Sequence, residues 1–438
     1  MRKRFFKKAL ALTLASTMAF SMVGCGSSSK DSSEGKSDDG TITLNVWHQW
    51  SNDTNELKGR YEEAVKAYEK ENPKVKIKTE TLDTEAYKTK INAEFAGDAK
   101  GIDVFYWWGA GTAKKLVDAG KVMPLDDYIT DEVKSNMMEG ATSAFEYDGK
   151  LYSVPMFSWY MTLFCNKALF EKAGAKLPNT YDELVDAVKK LEKIKGVTPM
   201  AAGAKDGWNA AFVYQALALR EVGATGVNEM LSGKKEFGDE GYTKAAEKVK
   251  DLYEMGAFGD NPLEQGNDDA NAAFENGKAA MRIMGSWFAN NVYTDKAATI
   301  KPEDVVALKI PTISDGKGEA TDYCGGFVES FWVNNNTKYK EEAAKFAIYI
   351  NEKMGVASYE TGSGFSGWKT KADESKLNPL FIQIKDLLSE GKQGVLAWDT
   401  SLEAEPAAVH NEQVQTLFAD GADVKAFVEE HKAAINGK

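Results

Sequence analysis

The chain has 438 residues, of which 66 are acidic and 54 are basic, so its formal net charge at pH 7 is −12. An acidic surface repels the phosphate backbone of nucleic acids and the anionic headgroups of lipids, so this composition disfavours nucleic-acid binding. The length exceeds what one ordinary hydrophobic core accommodates and predicts two or three domains, with two lobes as the simplest arrangement.

The first 25 residues have the pattern of an export signal. Five basic residues within positions 2–8 precede a mostly apolar stretch at 9–20, and positions 22–25 read MVGC. The apolar stretch is shorter than the roughly 20 residues that span a bilayer, which argues against a transmembrane helix. The segment resembles a bacterial lipoprotein signal, with methionine where leucine is usual. The resemblance implies a signal peptide at 1–24, cleavage before a lipid-modified Cys25, and an extracytoplasmic protein anchored to the cell membrane.

The signal is followed by a segment without any apolar side chain, GSSSKDSSEGKSDDG at 26–40. Such a segment has nothing to bury against the entropy of ordering. We therefore expect residues 25–40 to form a flexible, lipid-anchored tether.

Strand and helix patterns alternate from residue 42 onward. Ile42, Leu44 and Val46 alternate as in a strand, a helical stripe runs to Asn72-Pro73, and residues 75–79 alternate again. An apolar run at 102–106 and a glycine-rich turn then lead into another helix. Strands that alternate with helices predict an α/β fold with a mostly parallel sheet covered on both faces.

The rest of the chain continues the alternation with a larger share of helix. Extended patterns occur at 151–155 and 161–165, and the region up to about 285 is mostly helical. Strand patterns return at 305–310 and 327–333, before a helix and a final stretch of loops and helices.

Cysteine and histidine are sparse. Besides Cys25, the chain has Cys165 and Cys324, whose apolar or glycine neighbours favour two buried thiols over the one disulfide that an exported chain could form. His48, His410 and His431 are too scattered for metal-ligand spacing and are expected at the surface or at strand edges. No metal site is predicted.

Catalytic and cofactor signatures are incomplete. Residues 364–368 read GFSGW and lack the closing glycine of a nucleophile elbow, and the dinucleotide fingerprint fails at Lys114. The sequence therefore predicts neither an enzyme nor a cofactor.

Tryptophan occurs ten times, often where a strand gives way to a loop. Open parallel sheets bind ligands at the carboxyl ends of strands, where Trp50 and the pair Trp107-Trp108 fall. A sugar needs flat aromatic surfaces with polar groups at their edges, although core packing remains the alternative for each ring. At least one of the adjacent pair is expected to pack inward, because successive strand positions face opposite sides. The candidate ligand contacts from this pattern are Gln49, Trp50, Trp107, Trp108, Trp159, Trp208, Trp287, Trp368, Trp398 and Asp399.

Several segments occur in an order and spacing similar to the extracellular solute-binding proteins of carbohydrate ABC transporters, the family that includes maltose-binding protein. They are ITLNVWHQW at 42–50, GIDVFYWWGAG at 101–111, a stretch at 152–184 with VPM, CNKALFEKAG and LPNTYDEL, FENGKAAMRIMGSW at 274–287, YCGGF at 323–327, and EEAAKF at 341–346.

The resemblance implies two α/β lobes joined by a hinge with three chain crossings, with the ligand enclosed in the cleft between them. The crossings are expected near 157–163, 305–309 and 328–333. The N-terminal lobe would comprise 41–157 and 308–328, and the C-terminal lobe 162–305 and 332–438.

The same resemblance assigns roles to individual residues. Trp107 and Trp287 correspond to stacking platforms, Trp159 to the first crossing, and Trp208 to a cleft segment. Gly325 and Gly326 correspond to a loop of close approach, and Trp398 to a late aromatic segment. The implied protein is a lipid-anchored receptor that performs no chemistry, binds an oligosaccharide or monosaccharide, and delivers it to an ABC permease. A monomer suits this role.

Other functions remain open at the level of sequence. A secreted carbohydrate-active enzyme would need two carboxylates facing each other across the cleft, and Asp206 and Asp399 are the first pair to test. A solute-binding protein for a non-sugar ligand and a structural lipoprotein without a small ligand are further alternatives.

Overall fold

The computed structural model describes residues 40–52 and 56–437. The predicted signal peptide, Cys25 and nearly all of the tether lie outside these residues. Within the described part of the chain, no helix is both long enough and apolar enough to cross a membrane.

The described residues form thirteen strands. They are β1 (Ile42–His48), β2 (Val75–Thr81), β3 (Val104–Trp108), β4 (Glu146–Tyr147), β5 (Lys150–Leu151), β6 (Phe157–Asn166), β7 (Thr198–Met200), β8 (Ala279–Gly285), β9 (Val305–Leu308), β10 (Asp322–Phe327), β11 (Glu329–Val333), β12 (Phe365–Ser366) and β13 (Gln393–Val395).

Fifteen α-helices surround the strands in the same described ranges. They are α1 (Glu56–Glu71), α2 (Thr84–Ala96), α3 (Gly111–Asp118), α4 (Asp131–Asn136), α5 (Lys167–Ala173), α6 (Tyr181–Leu191), α7 (Gly207–Leu231), α8 (Glu240–Glu254), α9 (Asn267–Glu275), α10 (Phe288–Thr294), α11 (Lys340–Glu360), α12 (Pro379–Ser389), α13 (Trp398–Ser401), α14 (Ala404–Thr416) and α15 (Val424–Ile435).

The first lobe is built on a four-stranded sheet in the order β11-β3-β1-β2. β1 pairs in parallel with β2 and β3, and β11 pairs antiparallel with β3. Leu44 and Val46, which the alternation of β1 assigns to the core, are fully buried. Trp332 of β11 fills the same core, and its Nε1 donates a hydrogen bond of 3.1 Å to the carbonyl oxygen of Trp107.

The second lobe is built on a seven-stranded sheet whose main path runs β13-β10-β6-β8-β7. β9 and β12 also pair with β6, so this ten-residue strand organises the lobe. α7 is buried along most of its length and packs between the sheet and the helices α8 and α14. The two sheets have separate hydrophobic cores, which confirms the predicted two-lobed α/β fold. The expected mostly parallel pairing holds for the first sheet only, because β6 pairs antiparallel with β8, β9, β10 and β12.

The chain passes between the two cores at three places. The first passage lies in β6, where Phe157 belongs to the first core and Trp159 to the second. The second is Val328, which separates β10 in the second sheet from β11 in the first. The third lies near 365–377, since Trp368 packs in the first core and Leu377 in the second.

These passages differ from the predicted segment boundaries in two respects. The segment 305–309 does not cross, because β9 pairs with β6 and Ile310 continues into the second core. Residues 322–327 pair within the second sheet, whereas 329–333 and α11 pack in the first lobe, the reverse of the expected assignment. The lobe to which a strand belongs depends on partner strands far away in the chain, so local sequence patterns do not indicate it.

Cys165 and Cys324 are buried free thiols, as predicted. The expectation for the histidines was wrong, because His48, His410 and His431 are all buried. The Nδ1 of His410 lies 2.9 Å from the Nε2 of His431, and this pair joins α14 to α15. The described residues contain no cluster of side chains that could hold a metal ion.

Candidate functional site

Three candidate tryptophans meet in one aromatic cluster on the second lobe. Trp159 lies in β6, Trp208 in the first turn of α7, and Trp287 just after β8. The Trp159 and Trp287 rings meet edge to face at 5.1 Å between centroids, and those of Trp208 and Trp287 are 6.4 Å apart. Phe212, one helical turn after Trp208, stacks on Trp159 at 5.3 Å. Trp159 is buried while Trp208 and Trp287 are partly exposed, so the latter two can offer ring surface to a ligand.

The adjacent pair Trp107-Trp108 ends β3 on the first lobe. Trp107 is only 4% exposed and lies against Tyr87, with ring centroids 6.5 Å apart. Trp108 is partly exposed and meets Tyr106 edge to face at 5.2 Å. Successive strand positions face opposite sides, so one ring packs inward as expected. The accessible ring is Trp108, although the resemblance gave the stacking role to Trp107.

The ammonium of Lys88 contacts one tryptophan ring of each lobe. It lies on α2 of the first lobe, and its Nζ is 5.2 Å from the Trp108 ring centroid and 6.0 Å from the Trp208 ring centroid. Glu85, one turn earlier on the same helix, pairs with this ammonium at 3.0 Å. One ammonium reaches both rings only if they border the same space. Trp108 and Trp208 therefore line a common cleft between the lobes.

Two carboxylates of the second lobe border the same region. Asp399 on α13 is half-buried, and burial raises its pKa while the charge of Lys88 and a hydrogen bond with Asn411 oppose this rise. Burial also raises the pKa of Asp206, whose Oδ2 accepts a 2.6 Å hydrogen bond from the backbone N–H of Asn267. Carboxylate acceptors beside aromatic faces suit a ligand that has apolar C–H faces and hydroxyl groups.

A buried arginine supports the start of α7. Arg282 on β8 has no exposed surface, and its Nη2 donates hydrogen bonds to Asn209 Oδ1 at 3.1 Å and to Asn267 Oδ1 at 2.9 Å. Burial lowers the pKa of Arg282 to about 9, so the guanidinium remains charged at neutral pH. Because Asn209 follows Trp208 directly, this network fixes the helix end that presents the ring.

The lobes also touch at two other places beside the cleft. Thr112 Oγ1 at the start of α3 donates to the carbonyl oxygen of Thr400 at 3.2 Å. Gly111 lies so close to the other lobe that a Cβ there would be 2.3 Å from the carbonyl oxygens of both Ser401 and Leu402. Asn290 Nδ2 donates to Glu56 Oε2 at 3.4 Å.

Besides the buried Trp107 and Trp159, three further candidate tryptophans lie in the cores and away from the aromatic cluster. Trp50 is 5% exposed and packs against Tyr106 at 5.5 Å between ring centroids. Trp368 is 1% exposed, and its Nε1 donates to the carbonyl oxygen of Pro155 at 2.6 Å. Trp398 is also 1% exposed and stacks on His410 at 5.0 Å. Loop position in the sequence did not reveal that packed partners cover Trp368 and Trp398.

Gln49, Gly325 and Gly326 complete the candidate set. Gln49 follows β1, and its Oε1 is buried without a hydrogen-bond partner in the described residues, so it could accept a bond from a ligand. Gly325 has φ 137° and lets β10 approach β6, since a Cβ there would be 2.0 Å from the carbonyl oxygen of Trp159. Gly326 pairs with Trp159 in the same ladder. The two glycines therefore let β10 pair closely with the segment of β6 that carries Trp159.

The structure adds residues that the sequence analysis missed. Lys88 gave no signal, because a lysine on a half-exposed helix looks like any solvated charge. Phe212 could have been found from its spacing of four residues after Trp208 on a helix. Glu329 could have been noticed as an acid that opens the apolar strand ESFWV, and it lies opposite Trp108 in the ladder between β11 and β3.

Comparison with known proteins places these features in context. The family model for bacterial extracellular solute-binding proteins matches residues 52–357. A multiple sugar-binding protein of Streptococcus mutans is 24% identical over 86% of both chains. A galactooligosaccharide-binding protein of Bacillus subtilis is 28% identical over 84% of this chain and 82% of its own length. A solved structure from a study of xylan utilization by Caldanaerobius polysaccharolyticus is 36% identical, with a TM-score of 0.85 over 89% of this chain and 99% of that one.

Proposed function

The chain belongs to the family of bacterial extracellular solute-binding proteins, and from this membership we propose that it is the extracytoplasmic sugar receptor of an ABC importer. In this proposal it encloses an oligosaccharide between its lobes and delivers it unchanged to the membrane permease. A lipid on Cys25 holds it at the membrane, and the tether at 25–40 lets it reach its partner.

One observation supports this proposal most directly: Trp108 of the first lobe and Trp208 of the second border one space, as their shared contact with Lys88 requires. The positive charge of the same ammonium acts on Asp399 and lowers its pKa against the effect of burial. Stacked indole faces with carboxylates at their edges match the two chemical sides of a pyranose ring. The names of the Streptococcus and Bacillus relatives, which describe binding of multiple sugars and of galactooligosaccharides, support a receptor over an enzyme.

We assign ligand contact to the partly exposed candidates, namely Gln49, Trp108, Trp208, Trp287 and Asp399. Trp107 and Trp159 support these rings from behind, through the contacts of 5.5 Å between Trp107 and Trp108 and of 5.1 Å between Trp159 and Trp287. Closure of the two lobes brings the contacts of the first and second lobe together on the ligand.

The test is calorimetric titration of the purified protein with xylo-, chito-, galacto- and malto-oligosaccharides. We expect at least one series to bind and to raise the melting temperature by mass action. Trp208→Ala and Trp287→Ala should each weaken binding by roughly fivefold or more, since one stacked ring is worth at least about 1 kcal/mol. Exposed Met138→Ala, on the surface of the first lobe, is the control. Binding of peptides or polyamines with no response to any saccharide would refute the sugar assignment.

Membrane attachment has its own test. In cells, we expect the wild-type protein in the membrane fraction and Cys25→Ser in the soluble fraction. Equal partition of both proteins would contradict the anchor and leave the sugar assignment untouched.

A further inference from the structure

Lys88 differs from its neighbour Lys90 in what its ammonium contacts. The Nζ of Lys90 lies 4.4 Å from the ring centroid of Trp47, which belongs to the same lobe. The Nζ of Lys88 lies over Trp108 of its own lobe and over Trp208 of the other. Both lysines are on α2, so the chain itself offers two ammonium–indole contacts that differ in whether they span the cleft.

Lys88 contacts one ring of the second lobe and acts through its charge on a carboxylate of a second element of that lobe. Trp208 lies in the first turn of α7, and Asp399, whose pKa is lowered by the positive charge of Lys88, lies on α13. Separation of the lobes would break both interactions at once. The ion pair with Glu85 lies within α2 and survives separation, so the ammonium keeps a partner in either arrangement.

We propose that Lys88 is a latch that stabilises the closed arrangement of the lobes through the chain's own contacts. An interaction made only in one of two arrangements shifts the population toward that arrangement. The ring faces under the ammonium are also those that stack on the sugar in the proposed function. We infer in addition that the entering ligand displaces the Lys88 ammonium and takes over its role in closure. This second part rests on the proposed function, whereas the latch itself does not.

The latch is tested on the protein without any sugar. Spin labels are attached to cysteines that replace the exposed residues Asn92 on α2 and Glu412 on α14, in a Cys25→Ser background. Cys165 and Cys324 are buried and do not compete for the label. Pulsed electron–electron double resonance then measures the distribution of distances between the two spin labels, and so between the lobes.

We expect Lys88→Ala to move the distribution to longer distances, with the ratio of closed to open protein reduced about two- to fivefold, the size of a partly exposed cation–π contact. Lys88→Arg should restore the short distances, because a guanidinium also stacks on indole rings. Lys90→Ala is the matched control and should leave the distribution unchanged.

A double-mutant cycle with Trp208→Leu separates a direct contact from a general effect. If Lys88 acts through Trp208, the second substitution changes the ratio less in the Lys88→Ala background than in the wild type. An unchanged distribution in Lys88→Ala, or an equal shift in Lys90→Ala, would overturn the latch. Neither result depends on sugar binding, so failure of the latch and failure of the proposed function are distinguishable.

Discussion

Glu329 shows how strongly the cleft region perturbs a single side chain. It is 7% exposed at the start of β11, and burial raises its pKa from 4.5 to about 7. Side-chain hydrogen bonds with Tyr106 and Trp108 lower the pKa and so offset part of this rise. Between these values the native state holds a proton that the unfolded chain has released. The free energy of unfolding therefore falls as pH rises from about 4.5 to 7.

Glu329→Gln should remove this dependence. Between pH 5 and pH 8, we expect the wild type to lose about 2 kcal/mol more of its free energy of unfolding than the variant, as measured by urea denaturation. Glu132→Gln, on the exposed face of α4, is the control for the change in net charge and should behave like the wild type. Parallel pH profiles for wild type and Glu329→Gln would show that the buried carboxyl titrates normally.

The three histidines should respond in the opposite direction. Burial lowers the pKa of His48 to about 3 and of His431 to about 4, and lowers that of His410 well below 6.5. Here the unfolded chain binds protons that the native state does not bind, so the free energy of unfolding falls as pH falls from about 6.5 toward 4.

Imidazole resonances in proton–nitrogen NMR spectra provide the measurement. The chain has only three histidines, so each resonance can be assigned with a single substitution. We expect all three rings to stay neutral down to pH 5. A midpoint near 6.5 for any of them would mean that its ring reaches solvent.

At the scale of elements, the antiparallel pairing of β10 with β6 depends on Gly325. Any side chain at this position meets the carbonyl oxygen of Trp159, and the backbone there has φ 137°. The paired segment of β6 includes Trp159 of the aromatic cluster, so a shift of β10 also affects this ring.

Gly325→Ala should therefore lower the free energy of unfolding by roughly 2 to 4 kcal/mol, because both the steric overlap and the strained φ act against it. Gly59→Ala, on α1 where a Cβ meets nothing within 4 Å, should be neutral or stabilising by up to about 1 kcal/mol. Denaturant titration of the two variants tests this difference. Equal stabilities would show that the ladder relaxes around the added methyl group.

The elements also show what a sequence can reveal. The alternation in β1 and β2 was sufficient to predict two strands of the first sheet, because burial along a strand is a local pattern. The assignment of β10 and β11 to different lobes was not predictable, since only Val328 separates them and their partners lie far away in the chain. In the site, Trp208 and Trp287 were predicted and Lys88 was not. The burial of Trp368 and Trp398 depends on tertiary contacts with residues far away in the chain, which the neighbouring sequence does not indicate.

At the scale of the whole molecule, closure is limited by how closely the lobes can approach. Gly111 on α3 lies where the two lobes approach closely, with the carbonyl oxygens of Ser401 and Leu402 occupying the space of a Cβ. The lobes are otherwise self-contained, since each has its own core. A side chain at this position therefore acts on closure more than on folding.

Gly111→Ala should hold the lobes apart while leaving the melting temperature within about 2 °C of the wild type. Sugar affinity should fall roughly tenfold, because contacts from the two lobes no longer meet on the ligand. Titration calorimetry and small-angle scattering measure the two effects. Gly101→Ala, in the same lobe with nothing within 4 Å of its Cβ, is the control. Full affinity in Gly111→Ala would mean that α13 moves aside at little cost.

The late position of β11 has a consequence for how the protein is made. The first sheet needs this strand to cover the edge of β3, yet β11 is encoded after nearly all of the second sheet. A nascent chain emerges from its amino terminus, so β3 can pair with β1 at once, while its other edge stays uncovered until β11 has been made. The first sheet therefore cannot be completed until three quarters of the chain has been synthesised, roughly residue 333 of 438.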